Sequence, residues 1–230
     1  MGGHRGLKDD VIAKAFELGF TVVGATGVEP LFEWHHEVSK RIGEGIIPAE
    51  DWHRRNPQLD PRAIMPDAAS ILVLVRPYTP YVSSFPRGVA GYSAHYREYP
   101  RGLEGARQLA DWLAGMGIKA VTQPRLPGKV LAAKAGMGSY GRNSLIRCRE
   151  FGSFVTIHAI LTDAHLEPDS PAVVSDCGEC DVCVQACPVG AIRPLGTLDL
   201  TRCIRAHMGS GRIVPVELRE AYGASILGCD

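Results

Sequence analysis

Cys177-Gly178-Glu179-Cys180-Asp181-Val182-Cys183-Val184-Gln185-Ala186-Cys187-Pro188 is the stretch on which the reading of this 230-residue chain turns. Its spacing, C-x-x-C-x-x-C-x-x-x-C-P, is that of the bacterial ferredoxin run that holds iron–sulfur clusters. Three thiolates at this spacing can wrap one corner of a cubane, because a short loop containing Gly178 lets the backbone curl around it and aim amides at the sulfurs. Pro188 ends the loop. In two-cluster proteins the last cysteine of the run, here Cys187, serves the other cluster, so the run predicts a second half-motif downstream. Cys203 and Cys229 are the cysteines that follow it.

Two plainer readings compete, a zinc knot and structural disulfides. Zinc sites usually come as two C-x-x-C pairs a dozen or more residues apart, unlike three evenly spaced thiols closed by C-P. Disulfides call for an exported protein. The opening residues Met1 to Asp10 carry no apolar run behind their charges, and so read as neither a signal peptide nor an anchor.

Composition bounds the rest. A chain of this length with 45% hydrophobic residues can bury one sizeable core and a small appended module. The formal net charge is zero, which gives no support to non-specific nucleic-acid binding. No window reaches the length of a membrane span, and the expected setting is the cytoplasm, with no membrane partner. Seven cysteines in such a protein point to metal or redox chemistry.

Upstream of the cysteines the chain alternates between helical and extended patterns. Leu7, Val11, Ile12, Ala15 and Phe16 recur at helical spacing, with Gly19 placed to stop the helix, and a strand is expected over Phe20 to Ala25. From Leu31 to Asp60 the pattern is mixed, and His35, His36 and His53 read as part of a solvated face rather than as metal ligands. Ser70 to Tyr78 is a continuous apolar run, expected to be a central strand buried on both faces. Thr79 to Arg101 is rich in Pro, Gly, Ser and Tyr and long for a connector, which favours a functional loop.

A second amphipathic helix is predicted over Leu103 to Gly117, with Leu103, Ala106, Leu109, Ala110 and Leu113 inward. Ala120 to Gln123 should be a short strand, Lys129 to Ala135 a short helix and Ser153 to Asp163 another strand, with His158 a core or half-buried histidine on it. Between the last two lies Gly136-Met137-Gly138-Ser139-Tyr140-Gly141-Arg142-Asn143-Ser144. Its glycines would let a large flat or phosphate-bearing ligand approach the backbone. It is neither a Walker loop nor a dinucleotide fingerprint, so a plain turn is the default. The fold class expected is α/β: an α/β sandwich over residues 1–170, then a cysteine module over 171–230.

Taken together these motifs resemble the epoxyqueuosine reductase family, cobalamin-dependent iron–sulfur proteins related to reductive dehalogenases. The resemblance rests on Pro61-x-x-x-x-Pro66 before the apolar strand, on Ala132-Ala133-Lys134-Ala135-Gly136-Met137-Gly138-x-x-Gly141-Arg142-Asn143-Ser144-Leu145-Ile146, on Glu150-Phe151-Gly152-Ser153-Phe154, on the Cys177 run, and on Thr201-Arg202-Cys203-Ile204. It implies a nitroreductase-like α/β sandwich that binds a corrinoid, followed by a ferredoxin-like double 4Fe-4S module. Cluster one would take Cys177, Cys180 and Cys183, and cluster two Cys187, Cys203 and Cys229. Gly138, Tyr140, Gly141, Arg142, Asn143 and Ser144 would lie against cobalamin, with the Tyr92 to Tyr99 loop as cover. The partners implied are tRNA as substrate and a ferredoxin or flavodoxin as electron donor.

The chain departs from the family pattern at two places. The family completes both clusters from a C-D-x-C-x-x-x-C-P half-motif, of which Gly228-Cys229-Asp230 is the beginning, so the sequence reads as cut within it. Cys148 is too far upstream to substitute and reads as a buried thiol. The family also carries a proton-donating aspartate before its A-x-x-A-G-x-G segment, where this chain has Val121-Thr122-Gln123-Pro124-Arg125. His95, Tyr96 and Tyr99 are the candidate catalytic donors in its place, since an acid at the leaving oxygen is worth roughly 10² to 10⁴ in rate. Two other classes stay open: a 4Fe-4S electron-transfer protein without a corrinoid, and a flavin enzyme of the same architecture.

Overall fold

The computed structural model describes residues 6–50, 57–78, 92–93, 98–171, 177–193, 196–208 and 213–229. In chain order these carry α1 (Leu7–Glu17), β1 (Val22–Thr26), α2 (Phe32–Gly43), β2 (Ser70–Pro77), β3 (Tyr92–Ser93), α3 (Tyr99–Gly115), β4 (Ala120–Thr122), α4 (Gly128–Lys134), β5 (Ser139–Tyr140), β6 (Ile146–Arg147) and β7 (Val155–Thr162). The cysteine region adds α5 (Val182–Ala186), α6 (Ile204–His207), α7 (Val216–Arg219) and β8 (Ser225–Leu227). The fold is mixed α/β, as the sequence predicts.

The main sheet has the order β1-β2-β7-β4, with every neighbouring pair antiparallel. β2 and β7 pair along their full lengths, from Ser70 opposite Thr162 to Pro77 opposite Val155. The apolar run does form a central strand, buried from Ser70 through Val75. Successive side chains of a strand point to opposite faces. Ile71, Val73 and Val75 therefore join Leu161 and Ala159 against Leu131, Ala132 and Ala135 at α4. Leu72 and Leu74 join Ile160 on the other face, against Val11 and Ala15 of α1 and Ala106, Leu109 and Leu113 of α3. Helices on both faces explain why an antiparallel strand here reads as a continuous hydrophobic run rather than as an alternating one.

Two details depart from the expected helix patterns. Phe16 is 52% exposed, so the inward stripe of α1 is narrower than its apolar residues suggest. In α3 the buried stripe is Gly102, Gly105, Ala106, Leu109, Ala110 and Leu113, while Leu103 is only half-buried. The helix lies so close to the sheet that a Cβ at Gly102 would land on the ring of His158. α3 also begins four residues before the expected start, because Pro100 has the φ that the first turn of a helix needs and no amide left unpaired there. Gly19 and Gly117 follow α1 and α3 at φ +86° and +79°, left-handed conformations that stop a helix cheaply only at glycine.

The cysteine region has its own small core of Val189, Ala191, Ile204, Met208 and Leu218, with Cys187 and Cys203 packed against it. It is tied to the rest of the chain at several points. Leu200 donates its amide to the Ile46 carbonyl at 2.8 Å, Ser144 Oγ donates to the Gly196 carbonyl at 2.5 Å, and β8 pairs with β3 in parallel. Among the described residues no helix is long and apolar enough to cross a membrane.

Candidate functional site

A cleft of about 1520 Å³ opens between the α/β part and the cysteine region. One wall is α2, which contributes Phe32, Trp34, Val38 and Arg41, and the opposite side is the segment from Gln123 to Val130 that enters α4. β7 adds Ile157 and Ala159, and Tyr99 lies at the start of α3. Drug-sized ligands occupy pockets of roughly 300–1,000 Å³, so this cleft is larger than one such ligand needs.

The glycine-rich segment forms the β5–β6 hairpin, with Ser139 opposite Arg147 and Tyr140 opposite Ile146. Gly141 donates its amide to the Leu145 carbonyl at 2.8 Å, which closes a tight loop. Of the six residues expected at a cofactor, Tyr140, Gly141, Arg142 and Ser144 line the cleft. Gly138 and Asn143 do not. Gly138 is a glycine because a Cβ there would strike the Arg147 carbonyl across the hairpin. Asn143 is occupied within the turn, where its Oδ1 accepts from the Leu145 amide at 3.1 Å.

Cys177 and Gly178 form the part of the cleft wall next to this hairpin. The Arg142 amide donates to Cys177 Sγ at 3.4 Å, and Arg147 Nη1 approaches the same sulfur at 3.7 Å. The backbone hydrogen bond from Arg142, reinforced by the Arg147 guanidinium, holds the Cys177 thiol below its ordinary pKa and favours the thiolate. Arg142 also clasps the run from outside, its Nη2 donating to the Gly178 carbonyl at 2.7 Å.

The other cysteines are set by short helices. Cys180 follows a turn closed by its amide on the Cys177 carbonyl at 2.9 Å, Cys183 sits in α5, and Cys187 ends it. Cys187 Sγ accepts from the Ala191 amide at 3.2 Å, and Cys203 stands immediately before α6 with no side-chain bond to its first turn. Cys229 is exposed beyond β8. Among the described residues no three Cys, His, Asp or Glu side chains gather closely enough to hold a single metal ion. A multi-iron core spreads its thiolates further apart than one ion does, and the amide-to-sulfur bonds at Cys177 and Cys187 are what cluster thiolates ordinarily receive. The donor set therefore fits iron–sulfur clusters.

Cys148 is 3% exposed, and burial pushes its thiol up to about 11, in keeping with its reading as a buried thiol apart from the run. His36 is exposed and His35 half-buried on α2, while His53 lies outside the described residues. The sequence reading missed α2 as a cleft wall. The signal was present in Trp34, Val38 and Arg41, which recur at helical spacing within a segment dominated by charges.

Of the three catalytic candidates, His95 and Tyr96 lie outside the described residues. Tyr99 lines the cleft, and its hydroxyl donates to Gln123 Oε1 at 2.5 Å. Gln123 stands in the neighbourhood flagged for lacking a carboxylate, and its φ of +51° is unusual for a residue with a side chain. Behind both lies His158, 1% exposed, with its ring centroid 4.5 Å from that of Tyr99. Burial, with the nearby Arg76 charge second, lowers His158 to about 4.

That depression has a stability consequence. The unfolded chain takes up a proton near pH 6.5 that folded His158 refuses until about pH 4. Its contribution is therefore intact above pH 6.5 and is lost as pH falls toward 4, by up to about 3 kcal/mol. Urea unfolding at pH 7 and pH 4.5 should show a loss for the unaltered chain that exceeds the loss in His158→Gln. Equal losses would contradict the buried neutral histidine.

The residues present thus define a class: an α/β protein whose ligand cleft is walled by a cysteine region of the double-cluster type. The 4Fe-4S double cluster binding domain pattern matches residues 176–230. The chain is 28% identical to the epoxyqueuosine reductase of Bacillus cereus, over 97% of this chain and 62% of that one. With the Escherichia coli K12 epoxyqueuosine reductase the identity is 30%, over 93% and 60%. Among solved structures, Streptococcus thermophilus epoxyqueuosine reductase superposes with a TM-score of 0.83 at 21% identity, covering 98% of this chain and 64% of that one. An epoxyqueuosine reductase solved with a tRNA-Tyr stem loop carrying epoxyqueuosine gives 0.82 at 25%, covering 97% and 63%. The chain is a distant homologue of the epoxyqueuosine reductase family over nearly its whole length. It spans about three fifths of the length of the curated relatives it matches.

Proposed function

We propose that this chain is the iron–sulfur and corrinoid-binding part of a cobalamin-dependent reductase similar to epoxyqueuosine reductase, taking electrons from a ferredoxin or flavodoxin. The observation that supports it most directly is the position of Cys177. The first thiol of the ferredoxin-type run is itself part of the cleft wall, hydrogen-bonded by the loop residue Arg142. A cluster held there would pass electrons into the cleft without crossing the α/β core.

Cobalamin in the cleft would supply a cobalt centre that cleaves a carbon–oxygen bond reductively, the hard chemistry being the cofactor's own. The chain's residues would bind and enclose it. Tyr140, Gly141, Arg142 and Ser144 would meet its edge, while Trp34, Val38 and Ile157 would exclude water. Partial burial against the cleft wall raises the Tyr140 phenol although 45% of the residue is exposed, and it stays protonated at neutral pH.

Modified tRNA is the substrate class that the relatives suggest. Although the net charge is zero, Arg125, Lys129 and Arg142 line the cleft and would suit a phosphate backbone. Gln123 cannot donate as a carboxylic acid would, so the proton for a leaving oxygen comes from elsewhere, with His95, Tyr96 and Tyr99 the candidates.

Anaerobic reconstitution with iron, sulfide and cobalamin tests the proposal. The expected result is a corrinoid that stays bound through gel filtration and shows a base-off absorption spectrum. Retained iron with no retained corrinoid would overturn it and leave an electron-transfer protein, and a retained yellow flavin would point to the flavin class.

A further inference from the structure

The polar groups behind the cleft form one chain of hydrogen bonds whose direction can be worked out from its far end. Thr156 Oγ1 donates to the Arg76 carbonyl at 3.3 Å, which uses its only proton. With the hydroxyl proton so placed, His158 Nε2, 3.1 Å from Thr156 Oγ1, is the protonated ring nitrogen and donates to that oxygen. A neutral ring protonated at Nε2 leaves Nδ1 as an acceptor, and Gln123 Nε2 lies 3.3 Å from it. That contact orients the amide, so that Oε1 faces the Tyr99 hydroxyl and accepts its proton at 2.5 Å.

The backbone holds this arrangement in place. Gln123 lies just past the edge strand β4, its amide bonded to the Ala159 carbonyl at 3.0 Å and its φ in the left-handed region. Strain of this kind clusters at residues held for a function. Gly102 leaves room for the imidazole under α3, and Phe20 meets the ring edge-on with centroids 5.9 Å apart.

We propose that Tyr99, Gln123 and His158 form a specificity subsite in which the Tyr99 oxygen, its proton turned inward, offers the cleft an acceptor for a ligand hydroxyl or amine. His158 is a positioning residue that acts through Gln123. This goes beyond the cofactor reading and holds whichever group fills the cleft. It also means that Tyr99 gives a proton to a ligand only after breaking its bond to Gln123.

Two measurements on the full chain test the subsite. Two-dimensional 15N NMR of the histidine rings should show the Nε2-protonated tautomer of His158 at pH 7. In Gln123→Glu, whose carboxylate can only accept, Nδ1 should gain a proton while Nε2 keeps its own, giving the doubly protonated ring. A ring of the unaltered chain protonated at Nδ1 and not at Nε2, or an Nδ1 left unprotonated in the variant, overturns the lock. The second measurement compares 2-propanol, which carries a donor, with acetone, which only accepts, by saturation-transfer NMR against Tyr99→Phe. A preference for 2-propanol that the variant loses is expected, and any other result overturns the acceptor assignment.

Discussion

Anaerobically purified chain carrying Cys180→Ala with Cys183→Ala is expected to lose at least roughly half of the iron and acid-labile sulfide bound by the unaltered chain, because the proposed assignment gives both thiols to one of two clusters. Cys180 shares a turn with Cys177, and Cys183 lies in the short helix that follows. Removing two of three neighbouring thiolates leaves a site that cannot hold a cubane. Cys187 and Cys203 sit instead against the small core of Val189, Ala191 and Ile204 and should keep their share. Cys148→Ala is the control. Its thiol is buried in the core that packs on β2, held protonated by that burial, and should leave the iron content unchanged. If the double variant retained all its iron, or if Cys148→Ala lost as much, the assignment of the run would be wrong.

Gly102→Ala should destabilise the chain by about 3 kcal/mol, at the upper end of what overpacking a core costs. Intrinsic propensity predicts the opposite sign, since alanine in a helix is favoured over glycine by about 1 kcal/mol. Packing wins because the added methyl meets the His158 ring, which is held by Thr156, Gln123, Tyr99 and Phe20 and has nowhere to move. Gly115→Ala, near the end of the same helix with nothing within 4 Å of the new methyl, should instead be neutral or slightly stabilising. Denaturant unfolding of the two variants therefore gives opposite signs. A stabilised Gly102→Ala would show that α3 does not lie as close to β7 as the structure has it.

The same pair of glycines shows where sequence reading stops. Periodicity located α3 and named Ala106, Leu109, Ala110 and Leu113 as its inward face, because burial of apolar side chains repeats every turn. It could not rank Gly102 and Gly105 above Leu103, since closeness of approach is a property of two elements at once. The candidate site divides in the same way. Four of the six glycine-loop residues line the cleft, but Gly138 and Asn143 serve the hairpin, and sequence alone does not separate a glycine that makes room for a ligand from one that makes room for a carbonyl.

By itself the sequence determined the main helices and strands of the α/β part, α2 and the β5–β6 hairpin excepted, and the cysteine spacing of the metal end. The helical hydrophobic period of 3.6, continuous apolar runs, glycine stops and thiol spacing are local, and local physics decides them. Only the tertiary structure decided that β2 runs antiparallel to both of its neighbours, that α2 closes the cleft, that Cys177 faces into it, and that Tyr99, Gln123 and His158 form one chain of hydrogen bonds. Each of these joins residues far apart in the chain, and their hydrogen-bond directions are fixed by partners that no stretch of sequence contains.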